Sequence, residues 1–426
     1  MLPELITDVP GPESRRLAEE LRAHESRNVT FLADDWPVFW ERAEGTNVWD
    51  ADGNRFLDFT AAFAVAGLGH GRAELVAAMG AQAGRLLHGM GDVHPVAAKA
   101  RLCRRLSEVT FGRWGAGAGK TLLANSGFEA VEAALKTAVL ATGRRGVAAF
   151  AGGYHGLGYG ALLPTGFEKF RAPFAAQLAD VTRWLEYPRT EAGLAGVQEE
   201  LDRLDAAAIG AVVVEPVQGR GGVVIPPAGF LAALRAWCDT HGALLVFDEI
   251  YTGFHRTGTM FACEPEAVVP DVICLGKALS GGFPISACVG RAAVMDAWPE
   301  SDGEALHTST FLGHPVGCAM ALESIRLHEA PETAAQVAAC AAHLEGMLAG
   351  RTGGGLTAVR GRGAMWGVEF EQPGAGAAIA RKLLAEGILV LPAGQHGEVL
   401  AFTPPFAANA EEVQFLGEQL TRLTGR

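Results

Sequence analysis

The chain has 426 residues, a formal net charge of -13, and 49% hydrophobic against 19% charged residues. That apolar share excludes a disordered chain, and an acidic balance with no long Lys/Arg run excludes nucleic acid or an anionic membrane as the main partner. The length exceeds one ordinary core and predicts two domains, and no apolar run approaches the roughly 18 residues of a membrane span. The first residues, MLPELITDVPGPESRR, lack the basic-then-apolar order of a signal peptide. The seven cysteines are scattered, with no CxxC and no Cys/His cluster at zinc spacing. They predict buried free thiols in a reducing cytoplasm and no metal site.

Leu17 and Leu21 lie at helical spacing in a charged segment, predicting a surface helix over 13–25. Alternating aromatics with Asp-Gly punctuation predict short antiparallel strands between Phe39 and Phe59. Long helical stretches follow at 73–88 and 94–109. Short apolar strands then recur at 121–124, 146–150, 211–214, 243–247, 271–275 and 285–289, with helices at 129–142, 191–204 and 228–241. Such alternation predicts an α/β fold, a mostly parallel sheet with helices on its faces, and ligands at the carboxyl ends of its strands. A helix at 316–329 leads to a smaller α+β region. It has helices at 332–349, 374–386 and 410–423 and strands at 356–359, 364–370, 388–391 and 399–402. The expected domains are an N-terminal helix and strands over 1–69 that join the small domain, a large domain over 70–320, and a C-terminal small domain over 321–426.

The strand ends hold the unusual chemistry. Ser126-Gly127-Phe128 opens a helix directly after the first strand, so free N–H groups and the positive dipole end suit a phosphate. The same residues also suit an ordinary Ser cap. Tyr154 and His155 follow the second strand between glycines, where an aromatic covers either a planar ligand or the core. Glu215, Gln218 and Arg220 follow the third. Asp248 ends the fourth after Leu244-Leu245-Val246-Phe247, and Lys277 follows Val272-Ile273-Cys274-Leu275-Gly276. A carboxylate and an amine at the ends of apolar strands are costly to bury unpaired. They predict either a structural ion pair with each other or partners in a ligand. A helix start for a phosphate, an aromatic for a ring face, a carboxylate for a ring cation and a lysine for an imine are together the needs of pyridoxal phosphate. Gly115-Ala116-Gly117-Ala118-Gly119-Lys120-Thr121 is not a P-loop. Trp114 stands where that motif needs glycine, and the segment precedes a strand.

These residues resemble the class III aminotransferases, pyridoxal-phosphate enzymes of fold type I. The resemblance runs from Val48-Trp49-Asp50 to Pro404-Pro405. Its most specific pieces are Phe247-Asp248-Glu249-Ile250-Tyr251-Thr252-Gly253-Phe254 and Leu275-Gly276-Lys277-Ala278-Leu279-Ser280-Gly281-Gly282. It implies a large domain built on a mostly parallel sheet of the seven-stranded type, with a smaller α+β domain. It implies Lys277 as the Schiff-base lysine and proton shuttle, Asp248 at the pyridinium nitrogen, and Tyr154 and Ile250 on the two ring faces. Gln218 is implied at the phenolic oxygen, with Glu215 in the same polar shell and His155 among the cofactor contacts. Ser126, Gly127 and Phe128 are implied at the phosphate, and Thr310 at the phosphate of a partner subunit, hence an obligate homodimer. The implied reaction moves an amino group between an amine or amino acid and a keto acid or aldehyde. An aminomutase, a decarboxylase or a racemase would use the same site, and a catalytically retired or structural protein is the reading from another class.

Four positions depart from the family. Phe128 stands where a small residue is usual, and His255 and His314 replace a usual Gly and Asn; the two histidines read as structural variations. Ala401 replaces the arginine that clamps a substrate carboxylate, which predicts that the usual clamp is not used. Arg220 is either a substitute cation or a surface residue. Phe63, and less so Trp36, Phe39 and Trp40, are candidates for an apolar substrate pocket and otherwise belong to the core.

Overall fold

The computed structural model describes residues 1–425. The chain divides into two compact units, Ala73–Ala330 and a second made of Met1–Arg72 with Pro331–Arg426.

The first unit is built on a seven-stranded sheet. In spatial order its strands are Gly119–Ala124, Ser286–Arg291, Val272–Leu275, Leu244–Asp248, Ile209–Val214, Gly146–Phe150 and Thr182–Leu185. Ser286–Arg291 runs antiparallel to both its neighbours, and the remaining pairings are parallel. Side chains of a strand alternate between faces, and here both faces are apolar. Leu245, Phe247, Val212, Val214, Ile273 and Leu275 join a core with Leu102, Phe230, Leu234 and Ile325. Their alternates Leu244, Val246, Ala211, Val213, Val272 and Cys274 join a second core with Ala130, Val131 and Ala134. The first core is roofed by helices Ala97–Ser107, Phe230–His241 and Pro315–His328, the second by Gly127–Thr142.

Helix Gly127–Thr142 starts where the Glu129 carboxylate accepts from the backbone N–H groups of Asn125 and Ser126, at 2.9 and 2.7 Å. It stops at Gly143, whose φ of 69° is the left-handed conformation that ends helices. The parallel strands bring Phe150, Val214, Asp248 and Leu275 to one edge of the sheet. Ser286 lies opposite Ala124 at that edge, and its hydroxyl donates to the Ser126 carbonyl at 2.6 Å.

The strand Thr182–Leu185 falls outside the sequence expectation. Arg183 and Trp184 are exposed, so this edge strand carries neither an apolar run nor a clean alternation. The two histidine departures each have a structural role. His314 Nδ1 accepts from Val316 N–H at 3.2 Å, capping Pro315–His328. His255 holds a φ of 68°, and its Nε2 lies 2.9 Å from the His328 carbonyl, which anchors a backbone more comfortable for glycine.

The second unit has two four-stranded sheets. In one, Trp40–Glu44, Asn47–Asp50 and Arg55–Asp58 form the expected antiparallel meander, and Ile388–Leu389 adds in parallel to Arg55–Asp58. The other orders Leu356–Arg362, Met365–Phe370, Val399–Phe402 and Leu391–Ala393, all antiparallel. Ala401 is buried there, facing Gly367 and Leu391 across the ladder. Helices Pro331–Leu348, Ala375–Ala385 and Ala410–Thr424 complete this core.

Ala61–Ala64 form a left-handed turn, with φ of 45°, 50°, 63° and 63°. L-residues there cost roughly 1–2 kcal/mol each, so the surroundings must hold them. Thr60 does so. Its hydroxyl donates to Asp58 at 2.6 Å and accepts from Ala62 N–H at 3.0 Å, while its carbonyl accepts from Thr403. The turn presents Phe63, which is 56% exposed and therefore not a core residue.

Candidate active site

The edge formed by the carboxyl ends of the parallel strands gathers the titratable groups. Asp248 is buried, and its Oδ2 lies 2.8 Å from His155 Nδ1. Its Oδ1 accepts from Ile250 N–H at 3.1 Å. His155 is fixed from behind, its N–H donating to Thr165 Oγ1 at 3.1 Å. Burial opposes a charge on the His155 ring. The Asp248 hydrogen bond and field, with Glu215, outweigh that and raise its pKa above the ordinary histidine value. The structure therefore has no Asp248–Lys277 ion pair; Asp248 is partnered by His155 instead.

Glu215 is buried between two backbone donors, Tyr154 N–H at 2.8 Å and Gly219 N–H at 3.0 Å. Burial pushes its carboxyl up to about 7, with His155 opposing the rise and Asp248 adding to it. Gln218 Nε2 donates to the Ala151 carbonyl at 2.8 Å, leaving its second amide proton for another acceptor. The loop after Val214 is thus tied to the loop after Phe150.

Lys277 sits in a left-handed conformation, φ 45°, one residue beyond Gly276. Its Nζ lies 4.6 Å from the Tyr251 ring centre, and among the described residues it has no hydrogen-bonding or ion-pairing side chain. Its pKa is lowered from the ordinary lysine value, first by burial and then by the charge of Arg220, against Asp248 and Glu215. A strained lysine with a depressed pKa at a strand end is the condition for an amine nucleophile.

Ile250 is wedged between two glycines. A Cβ on Gly127 would lie 3.0 Å from Ile250 Cδ1, and one on Gly276 would lie 3.3 Å from its Cγ2. The helix start at Gly127 thereby comes close to the Asp248 and Lys277 segments with its first N–H groups unused by the helix. Ser126 contributes a hydroxyl that donates to the Glu129 carboxylate at 2.9 Å. Phe128 is accommodated by missing side chains opposite: a Cβ on Gly156 or Gly158 would come within 2.4 Å of it. Tyr154 packs edge-on against Phe167 and Phe170, with ring centres 6.2 and 5.9 Å apart.

The structure brings Ser126, Gly127, Phe128, Tyr154, His155, Glu215, Gln218, Arg220, Asp248, Ile250 and Lys277 to one edge of one unit. Thr310 is exposed in the same unit, next to Ser309, whose Oγ accepts from Asn125 Nδ2 at 3.2 Å. Phe63 belongs to the other unit. Three residues were not anticipated. Tyr251 follows Ile250 directly and could have been read from the motif. Thr165 behind His155 lies on an irregular segment and Phe170 beside Tyr154 on the one-turn helix Glu168–Arg171, and neither has a periodic signal.

The donor set fits pyridoxal phosphate. An unpaired amine, a carboxylate backed by an imidazole, an aromatic, an aliphatic side chain and a helix start suit its aldehyde, ring nitrogen, two ring faces and phosphate. Gly127 and Gly276 bring these groups close enough to act together. No group of three or more His, Cys, Asp or Glu able to hold a metal occurs among the described residues. Also among them, no helix is long and apolar enough to cross a membrane.

Comparison with known proteins agrees with the geometry. The pattern of the family "Aminotransferase class-III" matches residues 31–423. The 4-aminobutyrate aminotransferase of Mycobacterium leprae is 32% identical, over 99% of this chain and 98% of that protein. The acetylornithine aminotransferase of Methanosarcina acetivorans is 34% identical, over 96% and 97%. Among solved structures, an (S)-enantioselective omega-transaminase from Thermomicrobium roseum superposes with a TM-score of 0.87 at 28% identity, covering 96% of this chain and 97% of that one. An amine transaminase from an uncultivated Pseudomonas species, solved with PLP bound, gives 0.85 at 28% identity, over 95% and 98%. The chain therefore belongs to the class III aminotransferases, enzymes of fold type I that transfer amino groups with pyridoxal 5'-phosphate.

Proposed function

We propose that Lys277 is the amine that holds the cofactor's aldehyde carbon and that later moves the substrate proton. The observation that carries this is the unpaired, pKa-lowered Nζ beside an Asp248 already bonded to His155. Bound pyridoxal phosphate supplies the imine carbon and a ring that accepts electrons. Asp248 provides the negative charge for the ring nitrogen, and His155 fixes its carboxylate. When not bound to the cofactor, Lys277 would be favoured by its lowered pKa as a neutral base, placed to take a substrate's α proton and return it. Tyr154 and Ile250 are assigned to the ring faces, Gln218 to the phenolic oxygen and Glu215 to the support of both loops. Ser126 and the N–H groups of Gly127 and Phe128 are assigned to the phosphate.

A homodimer with Thr310 at the partner's phosphate is part of the same proposal. Leu86, Leu87, Met90, Val93, Leu306 and Phe311 are exposed apolar residues. Their two segments are adjacent, joined by a 2.7 Å hydrogen bond from Thr308 to Asp92 and by His88 against Phe311. A clustered apolar surface of this kind marks an interface, and Thr310 lies within it. Six of the seven cysteines are buried and all are free, which supports work in a reducing compartment such as the cytoplasm. For the substrates, the relatives support an amine or amino acid donor and a keto acid or aldehyde acceptor.

The test is a half-reaction. The holoenzyme is expected to lose its visible absorbance when an amine donor is added and to recover it with a carbonyl acceptor, releasing one carbonyl product per amine consumed. A Lys277→Ala variant is expected to do neither. Release of carbon dioxide, or product that is only an isomer of the donor, would replace this reading with a decarboxylase, mutase or racemase.

A further inference from the structure

We infer that Arg220 anchors a carboxylate of the substrate, so that the preferred donors and acceptors are carboxylic acids. This rests on the proposed roles of Lys277 and Asp248. The loop that bears Arg220 is rigid. Gln218 and Val224 exchange backbone hydrogen bonds at 3.0 and 2.9 Å, and Gly219 N–H donates to Glu215 at 3.0 Å. Gly221 is packed so closely that a Cβ there would lie 2.6 Å from the Gly152 carbonyl.

From this base the guanidinium extends over two aromatic rings, 4.9 Å from the centre of Tyr154 and 5.2 Å from that of Phe170. Cation–π contact of this kind steadies the guanidinium and does not use up its N–H groups. Some other arginines of the unit are neutralised: Arg235 and Arg291 by Asp271, and Arg113 by Glu264. Arg220 makes no ion pair among the described residues. The nearby carboxylates are engaged, Asp248 with His155 and Glu215 with two backbone N–H groups. Its field nevertheless reaches Lys277, whose pKa it lowers. Arg220 is exposed, and a guanidinium held over the Tyr154 ring with no internal anion is open to an external one. The phosphate of the cofactor already has the helix start at Gly127, which leaves Arg220 for the substrate.

The experiment compares the holoenzyme with Arg220→Ala and Arg220→Lys on matched pairs. Alanine is set against isopropylamine, 4-aminobutyrate against butylamine, and pyruvate against propanal. Arg220→Ala is expected to lose about 10- to 100-fold in kcat/KM for the acids, mainly through KM, while the uncharged partners change by about twofold or less. Arg220→Lys is expected to fall between, since it keeps the charge and loses the fork. Butyrate, which has no amine or carbonyl to react, is expected to bind the wild type in calorimetry and not Arg220→Ala. Equal losses on both members of each pair, or butyrate binding that survives Arg220→Ala, would overturn the inference. So would a variant whose only defect is weaker pyridoxal phosphate binding. Butyrate binding decides the role of Arg220 whether or not the wild type turns over these donors.

Discussion

At the scale of single residues, the site is organised by what is missing as much as by what is present. Phe128 is a large side chain at a helix start, and Gly156 and Gly158 leave the space it fills. Gly158 has an ordinary φ of -66°, so only steric overlap opposes a side chain there. Gly158→Ala is expected to destabilise the protein by about 1–3 kcal/mol, measured by urea denaturation. Combining it with Phe128→Ser should recover part of that loss, because the Phe128 ring is the nearest contact and Glu132 Oε1, at 2.8 Å, the next. Additive losses would mean that the contact is unimportant. Phe128 itself was legible as a departure, but its compensation 28 and 30 residues away was not. The same holds for Asp248. The need for a partner follows from a carboxylate after four apolar residues. That the partner is His155, and not Lys277, depends on how two loops meet.

At the scale of elements, legibility follows burial. Strands such as Ile209–Val214 are buried on both faces and read as continuous apolar runs, so the sequence predicts them within a residue or two of their ends. The edge strand Thr182–Leu185 has only two buried residues and escapes. The left-handed turn Ala61–Ala64 also escapes, because three of its four residues are alanines and nothing in them announces a positive φ. Helix Gly127–Thr142 is the element the site most depends on, and its start is held by one carboxylate. Glu129 accepts from the N–H groups of Asn125 and Ser126 and from the Ser126 hydroxyl. Glu129→Ala is expected to cost about 1–2 kcal/mol of stability in denaturant titration. It should also weaken pyridoxal phosphate retention more than a surface change such as Lys136→Ala on the same helix. Equal retention in the two variants would detach the phosphate role from this helix start.

At the scale of the whole molecule, one unit holds every cofactor candidate, Thr310 included, and the exposed apolar Leu306 and Phe311 flank Thr310 in the chain. With Thr310 serving a partner's phosphate, as proposed, two complete sites would require two chains. Leu87 is 64% exposed and lies on the proposed interface. Leu87→Asp, paired with Val93→Asp, is expected to shift the protein from dimer toward monomer in sedimentation velocity and to lower pyridoxal phosphate affinity in parallel. A monomer that binds the cofactor as tightly as the parent would remove Thr310 from the site. The assignment of the catalytic amine is independent of these outcomes. Its most direct measurement is borohydride reduction of the holoenzyme, followed by mass spectrometry of the peptides. The account predicts a pyridoxyl group fixed on Lys277 and on no other lysine. A pyridoxyl group on another lysine, or a reduced holoenzyme with no modified lysine, would contradict it.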